Sequence, residues 1–90
     1  MLNIKDGDHE AIRGIANCYK NLGSYRRAIE YFKKAVELKP DDTDSLYRMG
    51  ILYNKLYMKE KALEVLKRAK EISPDDPAIN ELIEEISRTC

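Results

Sequence analysis

Between Glu10 and Asn21 the apolar residues Ala11, Ile12, Ile15, Ala16, Cys18 and Tyr19 recur at three- and four-residue intervals. That spacing places side chains on one broad face of an α-helix. The segment NLGSY follows, in which Gly23 can take the left-handed conformation that ends a helix and Ser24 is placed to cap the next. From Tyr25 to Lys39 a second set, Tyr25, Ala28, Ile29, Phe32, Ala35, Val36 and Leu38, keeps the same period until Pro40, Asp41 and Asp42 stop it. A link this short makes the second helix antiparallel to the first. The pattern then recurs, with Leu46, Met49, Gly50 and Tyr53 on a third helix and Ala62, Leu63, Leu66, Ala69 and Ile72 on a fourth that Pro74 ends. Asp76 as a cap and Pro77 as a first-turn residue open a fifth helix, which runs to about Arg88.

The recurrence is literal: residues 35–42 read AVELKPDD and residues 69–76 read AKEISPDD, a shift of 34. Setting 9–42 against 43–76 without a gap pairs Tyr19 with Tyr53, Leu22 with Leu56, Ala28 with Ala62, Ala35 with Ala69 and Pro40 with Pro74. Helix pairs at a fixed period of this length make a solenoid, because one pair cannot bury its apolar face alone. Ala16 and Gly50, answered by Ala28 and Ala62 on the facing helices, predict close approach of the paired helices. The set Ile12, Ile15, Ala16, Tyr19, Ala28, Phe32, Ala35 and Pro40, repeated as Leu46, Met49, Gly50, Tyr53, Ala62, Leu66, Ala69 and Pro74, resembles the tetratricopeptide repeat. The resemblance covers residues 9–88 and implies an all-α fold, a right-handed superhelix of antiparallel helix pairs with five helices.

The expected organisation is a single domain over residues 1–90, with repeat 1 at 9–42, repeat 2 at 43–76 and a capping helix at 77–90. In the last helix Ile79, Ile83 and Ile86, with Leu82, form the apolar stripe, whereas Asn80, Glu84 and Ser87 fall where a partner helix would lie. A polar outer face of this kind is what the end of a repeat array requires. At the other end Leu2, Ile4 and Lys5 align with Val36, Leu38 and Lys39, so residues 1–8 read either as the remnant of a preceding repeat or as an N-terminal arm. Ala11 and Cys18 then form the small apolar surface that an earlier helix would cover. Leu2, Ile4, Ala11 and Cys18 are therefore candidates for self-association, giving a homo-oligomer, unless the arm simply folds over them. Cys18 also reads as a core residue of the first helix.

A chain of 90 residues with 43% hydrophobic and 36% charged residues has apolar material for one core and helices with a solvated outer face. Sixteen basic residues balance sixteen acidic ones, which argues against a role built on neutralising nucleic-acid phosphates or anionic lipid. The basic outer helices are also expected to lack interleaved aromatic residues, with Glu30–Lys34 and Glu64–Arg68 as their favourable i, i+4 pairs. Cys18, Cys90 and His9 lack the spacing of a metal site, and His9 reads as an exposed neighbour of the first cap. Free thiols, with no secretory or membrane-spanning segment, give the expectation of a cytoplasmic protein without membrane contact. No nucleophile with a partnered base, phosphate loop or paired carboxylates can be assembled, so neither an enzyme nor a cofactor is expected.

The first helix of each pair lines the inner side of such a curved stack. By helical spacing that side carries Glu10, Arg13, Gly14, Asn17 and Asn21, then Asp44, Tyr47, Arg48, Ile51, Asn54 and Lys55. Tyr47 and Ile51 lie one turn apart outside the core pattern and read as an apolar anchor, with Arg13, Arg48, Asn17 and Asn54 supplying charge and hydrogen bonds around it. The expected role is a protein-interaction module, an adaptor or scaffold that takes a peptide or a partner helix on its concave face. The alternative is a structural or self-assembling element. Some members of the family grip a chaperone's terminal carboxylate; Arg13 and Asn17 fall on the first two positions of that clamp. Arg48 stands where an Asn is wanted and Ala78 and Leu82 replace the remaining basic residues, so this particular ligand is not expected. Gly14 lies mid-helix at a cost of about 1 kcal/mol relative to Ala. Tyr57 occupies the place matched by Gly23, and a bulky residue there predicts a differently shaped second hairpin.

Overall fold

The first, second and fourth helices stop where Gly23, Pro40 and Pro74 interrupt the pattern. The structure, a computed structural model, describes residues 9–88. They form α1 (His9–Asn21), α2 (Tyr25–Leu38), α3 (Thr43–Lys55), α4 (Lys59–Ile72) and α5 (Pro77–Arg88), with no strand among the described residues. Lys39 and Ser73, which precede Pro40 and Pro74, leave the helical region with φ of −140° and −129°, as a following proline demands. Two antiparallel pairs, α1 with α2 and α3 with α4, stack through α2 and α3, and α5 closes on α4 and the edge of α3. The stack measures 43 × 26 × 17 Å, longer in one direction because units add side by side. Leu2, Ile4 and Cys90 lie outside the described residues.

Both hairpins turn in the same way, contrary to the expectation from Tyr57. In the first, Gly23 N–H donates to Lys20 O at 3.0 Å and Ser24 N–H to Tyr19 O at 2.9 Å; in the second, Tyr57 N–H donates to Asn54 O at 3.0 Å and Met58 N–H to Tyr53 O at 2.8 Å. These are the two bonds of a left-handed helix terminator. Gly23 has φ 82° and Tyr57 φ 62°, so the tyrosine is held in a backbone region that disfavours its Cβ. Packing of the flanking helices imposes the turn, and the ring is left 95% exposed. Ser24 sits at the start of α2 without a side-chain capping bond, and Met58, its counterpart, has no group to make one. The expected Ser24 cap is thus absent, whereas Asp76 does cap α5, its Oδ1 accepting from Ala78 N–H at 3.0 Å.

Ala16, Ala28, Ala62 and Ala69 are fully buried, and Phe32, Leu46, Leu52, Leu66, Ile79 and Ile86 fill the space between them. At Gly50 the approach is tightest. A Cβ there would lie 2.7 Å from both Cγ and Cδ2 of Leu66, which is itself fully buried and has no free direction to move. The residue that answers Gly50 is therefore Leu66, one turn from the expected Ala62. Gly14 is different in kind: a Cβ would meet nothing within 4 Å, so no close neighbour requires a glycine in the middle of α1.

The two faces of the repeat unit are unequally covered. Leu52 is fully buried by α2, whereas Cys18, its counterpart 34 residues earlier, is exposed. Cys18 is thus not a core residue. Leu56 is half-buried against the first hairpin, while the equivalent Leu22 is 77% exposed. In α5 the deepest side chains are Ile79, Leu82 and Ile86, with Ile83 half-buried and Glu84 exposed. Asn80 does not simply face outward, since its Nδ2 donates to Pro74 O at 3.2 Å.

Thermal or urea unfolding of three substitutions separates these effects. Gly50→Ala is expected to lower stability by about 1 kcal/mol net, because overpacking against Leu66 exceeds the gain in helix propensity. Gly14→Ala is expected to raise it by about 0.5–1 kcal/mol, since only propensity changes. Tyr57→Gly is expected to raise the melting temperature by several degrees, because release of about 1 kcal/mol of backbone strain outweighs the loss of an exposed ring.

Candidate functional site

The start of α3 is built around one carboxylate. Asp42 begins the helix, its Oδ1 accepting from Ser45 N–H at 3.2 Å and its Oδ2 from the Ser45 hydroxyl at 2.5 Å. Both residues are buried, and the cap satisfies donors that a helix N-terminus otherwise leaves open. Stacking of the first pair on the second brings His9 to the same oxygen at 2.5 Å, with Arg13 Nε 3.7 Å away. Burial pushes the Asp42 carboxyl up, but the Ser45 hydroxyl and amide, the His9 hydrogen bond and the Arg13 charge together hold it below its ordinary value of 3.8. His9 is therefore no exposed bystander. Its side chain is only 18% exposed and joins α1 to the start of α3, a contact between residues 33 apart that spacing along one helix cannot reveal.

Two residues further along, in the first turn of α3, Asp44 receives two arginines. The Arg13 guanidinium hydrogen-bonds its carboxylate across the repeat boundary, and Arg48 Nε donates to the same oxygen at 3.0 Å. Arg48 also donates through Nη1 to Asn17 Oδ1 at 3.5 Å. Three residues expected to surround a ligand, Arg13, Asn17 and Arg48, are thus brought together, but by Asp44 and by one another. These side chains are about one-third exposed, where each pair contributes up to about 1 kcal/mol and the network chiefly fixes geometry.

Next to this network α1, α2 and α3 leave an open hollow of ≈ 360 Å³ lined by Lys20, Asn21, Tyr25, Arg48, Ile51 and Lys55. Of the expected site residues, Arg48 and Ile51 reach it. Tyr47 is half-buried against the core, Ile51 likewise, and neither stands free as an exposed anchor. Asn54 is half-buried at the end of α3, outside the hollow's lining. Lys20 and Tyr25 were missed by the sequence pattern, the first as an ordinary last-turn cation and the second as a member of the apolar set. Lys55 Nζ stands 5.9 Å from the Tyr25 ring centroid, a cation–π distance. Of the candidates for self-association, Ala11 is half-buried and Cys18 exposed on the uncovered side of α1.

The outer surface also departs from expectation. Tyr19 and Tyr31 stack at 5.5 Å with an interplanar angle of 20°, Arg27 lying 5.9 Å over the first ring and Lys34 5.2 Å over the second. Aromatic residues are therefore interleaved with cations here, and the cations cover ring faces that a base would need. Lys34 turns to Tyr31, and no ion pair joins Glu30 to Lys34 or Glu64 to Arg68. Among the described residues no cluster of metal-ligating side chains occurs, and no helix is long and apolar enough to cross a membrane.

The Asp42 junction makes stability pH-dependent in a definite direction. A carboxyl whose folded pKa is lowered contributes stability above its unfolded value and loses it as pH falls through the folded one. Asp42→Asn keeps a capping oxygen but removes the charge facing His9 and Arg13. By chemical denaturation it is expected to be less stable than the wild type by about 1–2 kcal/mol near pH 7. That gap remains whole above pH 3.8 and closes progressively below it.

Comparison with known proteins agrees with this architecture. The structure superposes on YrrB, described as a TPR protein with an unusual peptide-binding site, with TM-score 0.84 and 30% identity, covering 89% of this chain and 41% of that one. It superposes on MamA with TM-score 0.88 at 20% identity, covering 91% of this chain and 48% of that one. The chain thus spans less than half the length of either protein. No curated protein matches the sequence significantly. The model for the family described as tetratricopeptide repeat matches residues 22–86, most of the chain and both hairpin turns, and the protein belongs to the tetratricopeptide repeat family.

Proposed function

We propose that the protein is an interaction module that binds an extended or helical peptide on the surface made by α1 and α3. The fold is that of a protein-interaction repeat in general, and the more specific reading rests on one observation. Between the first helices of the two pairs lies the ≈ 360 Å³ hollow with Ile51 and Tyr25 on its wall and polar groups around them. An apolar floor with a few placed polar groups is the composition of a peptide seat. Arg48 borders the hollow and is held in place by Asp44 and Asn17, so little side-chain entropy remains to be lost on binding. The peptide-binding description of YrrB supports the same class of ligand. In this reading Tyr47 and Ile51 act by supporting the floor, Arg13 and Asn17 by orienting Arg48, and Asn54 by flanking the site from the end of α3.

A second reading, self-association through the N-terminal side of the stack, is favoured by Cys18 and the 77% exposed Leu22, whose counterparts Leu52 and Leu56 pack against a preceding pair. Peptides selected from a random library on the immobilised chain separate the two. Ile51→Ser with Tyr47→Ala is expected to weaken selected peptides at least tenfold, about 1.4 kcal/mol, at unchanged helical content by circular dichroism and unchanged oligomeric state by sedimentation. Loss of an oligomer in Ala11→Arg, with peptide binding intact, supports the second reading.

A further inference from the structure

The charge around the hollow is one-sided, and this narrows the ligand further. Lys20, Arg48 and Lys55 all line it, with no acidic side chain among the lining residues. The nearby Asp44 carboxylate is already held by Arg13 and Arg48. Lys55 faces the Tyr25 ring in place of a carboxylate. Arg48 uses Nε and one hydrogen of Nη1 within the protein, which leaves the second Nη1 hydrogen and the two of Nη2 for a ligand. Three cations converging on a concave surface focus positive potential there. Tyr25 and Ile51, both half-buried, supply the apolar part of the same wall.

Resting on the peptide-binding reading, we infer that the hollow is a carboxylate seat, selecting peptides in which an acidic group stands beside an aliphatic side chain. The carboxylate lies between Lys20, Lys55 and Nη2 of Arg48, and the aliphatic group lies on Ile51 and Tyr25. Lys20 and Lys55 are not at the positions of the family's chaperone clamp, of which only Arg13 and Asn17 have counterparts here. The third first-type helix sets the limit of the acidic stretch. Glu81 and Glu85 stand 34 residues after Tyr47 and Ile51 and so in their register, and with Glu84 and Arg88 they line a separate, mainly acidic surface of α5. A peptide that is acidic along its whole length is repelled there, so the carboxylate is confined to the α1–α3 end.

The test is a pool of random synthetic octapeptides, half with free and half with amidated C-termini, captured on the full chain and sequenced. Enrichment of Asp or Glu beside Leu, Ile, Val or Phe in the amidated half is expected for a side-chain carboxylate, and enrichment confined to the free half assigns a chain terminus. A resynthesised winner should bind at least tenfold more weakly after Glu→Gln or Asp→Asn exchange, or after amidation if it uses its terminus. It should weaken similarly against Lys20→Glu with Lys55→Glu, and with rising salt. Enrichment of apolar peptides without any acidic or terminal preference overturns the carboxylate seat while the peptide-binding reading stands. Failure to enrich any peptide overturns both. Undiminished binding of an acidic winner to the double variant, with helical content intact, places the carboxylate elsewhere and overturns the assignment.

Discussion

The structure depends on how closely two helices can lie together. Where Gly50 meets Leu66, the absence of one methyl group lets a buried leucine sit against the backbone of the facing helix. Ala16, Ala28 and Ala62 keep the same economy of volume in the two pairs. Pairs built this tightly present one apolar side to the next pair, and Phe32, Leu46, Leu52 and Leu66 are fully buried in the common core. Interiors of this density leave no room for a wedge, so the stacking geometry follows from side-chain size. The strained Tyr57 belongs to the same account: the helices fix the turn and the residue adapts to it.

Stacking then creates a second layer of interactions that neither pair possesses alone. The loop between the pairs ends at Asp42, and the first turn of α1 arrives opposite it, so a helix cap becomes a junction among Ser45, His9 and Arg13. Two residues along, Asp44 gathers Arg13 and Arg48. The Asp44 pairs are modest in free energy because water reaches them. Their consequence is geometric. They fix one pair against the next and hold Arg48 at the rim of the hollow. A charge held in this manner can recognise a partner without first being ordered.

The surface divides by charge along the same lines. On α2, Arg27 and Lys34 lie over tyrosine rings and are engaged within the protein. On the inner helices, the cations at the ends of α1 and α3 border an apolar wall, and the acidic side chains of α5 stand on the far flank. A chain of zero net charge is thus strongly uneven across its inner side. Net charge alone described the whole molecule and concealed this.

The helices, their order and, apart from the turn at Tyr57, their limits were legible in the sequence because they depend on neighbours in the chain. Period fixed the buried stripes, Gly23 and the two prolines fixed the ends, and the repeat of 34 fixed the stacking. The inner face was legible as a face, since helical spacing places Arg13, Asn17, Arg48 and Ile51 on one side. What those residues touch was decided by the tertiary structure. Arg13 meets Asp44 and His9 meets Asp42 across more than thirty residues, and Cys18 is exposed while Leu52 is buried because α2 covers α3. Lys20, Tyr25 and Lys55 become one wall only when three helices converge. Periodicity reports which side of its own helix a residue occupies; which other helix waits there is set by the packing of the whole stack.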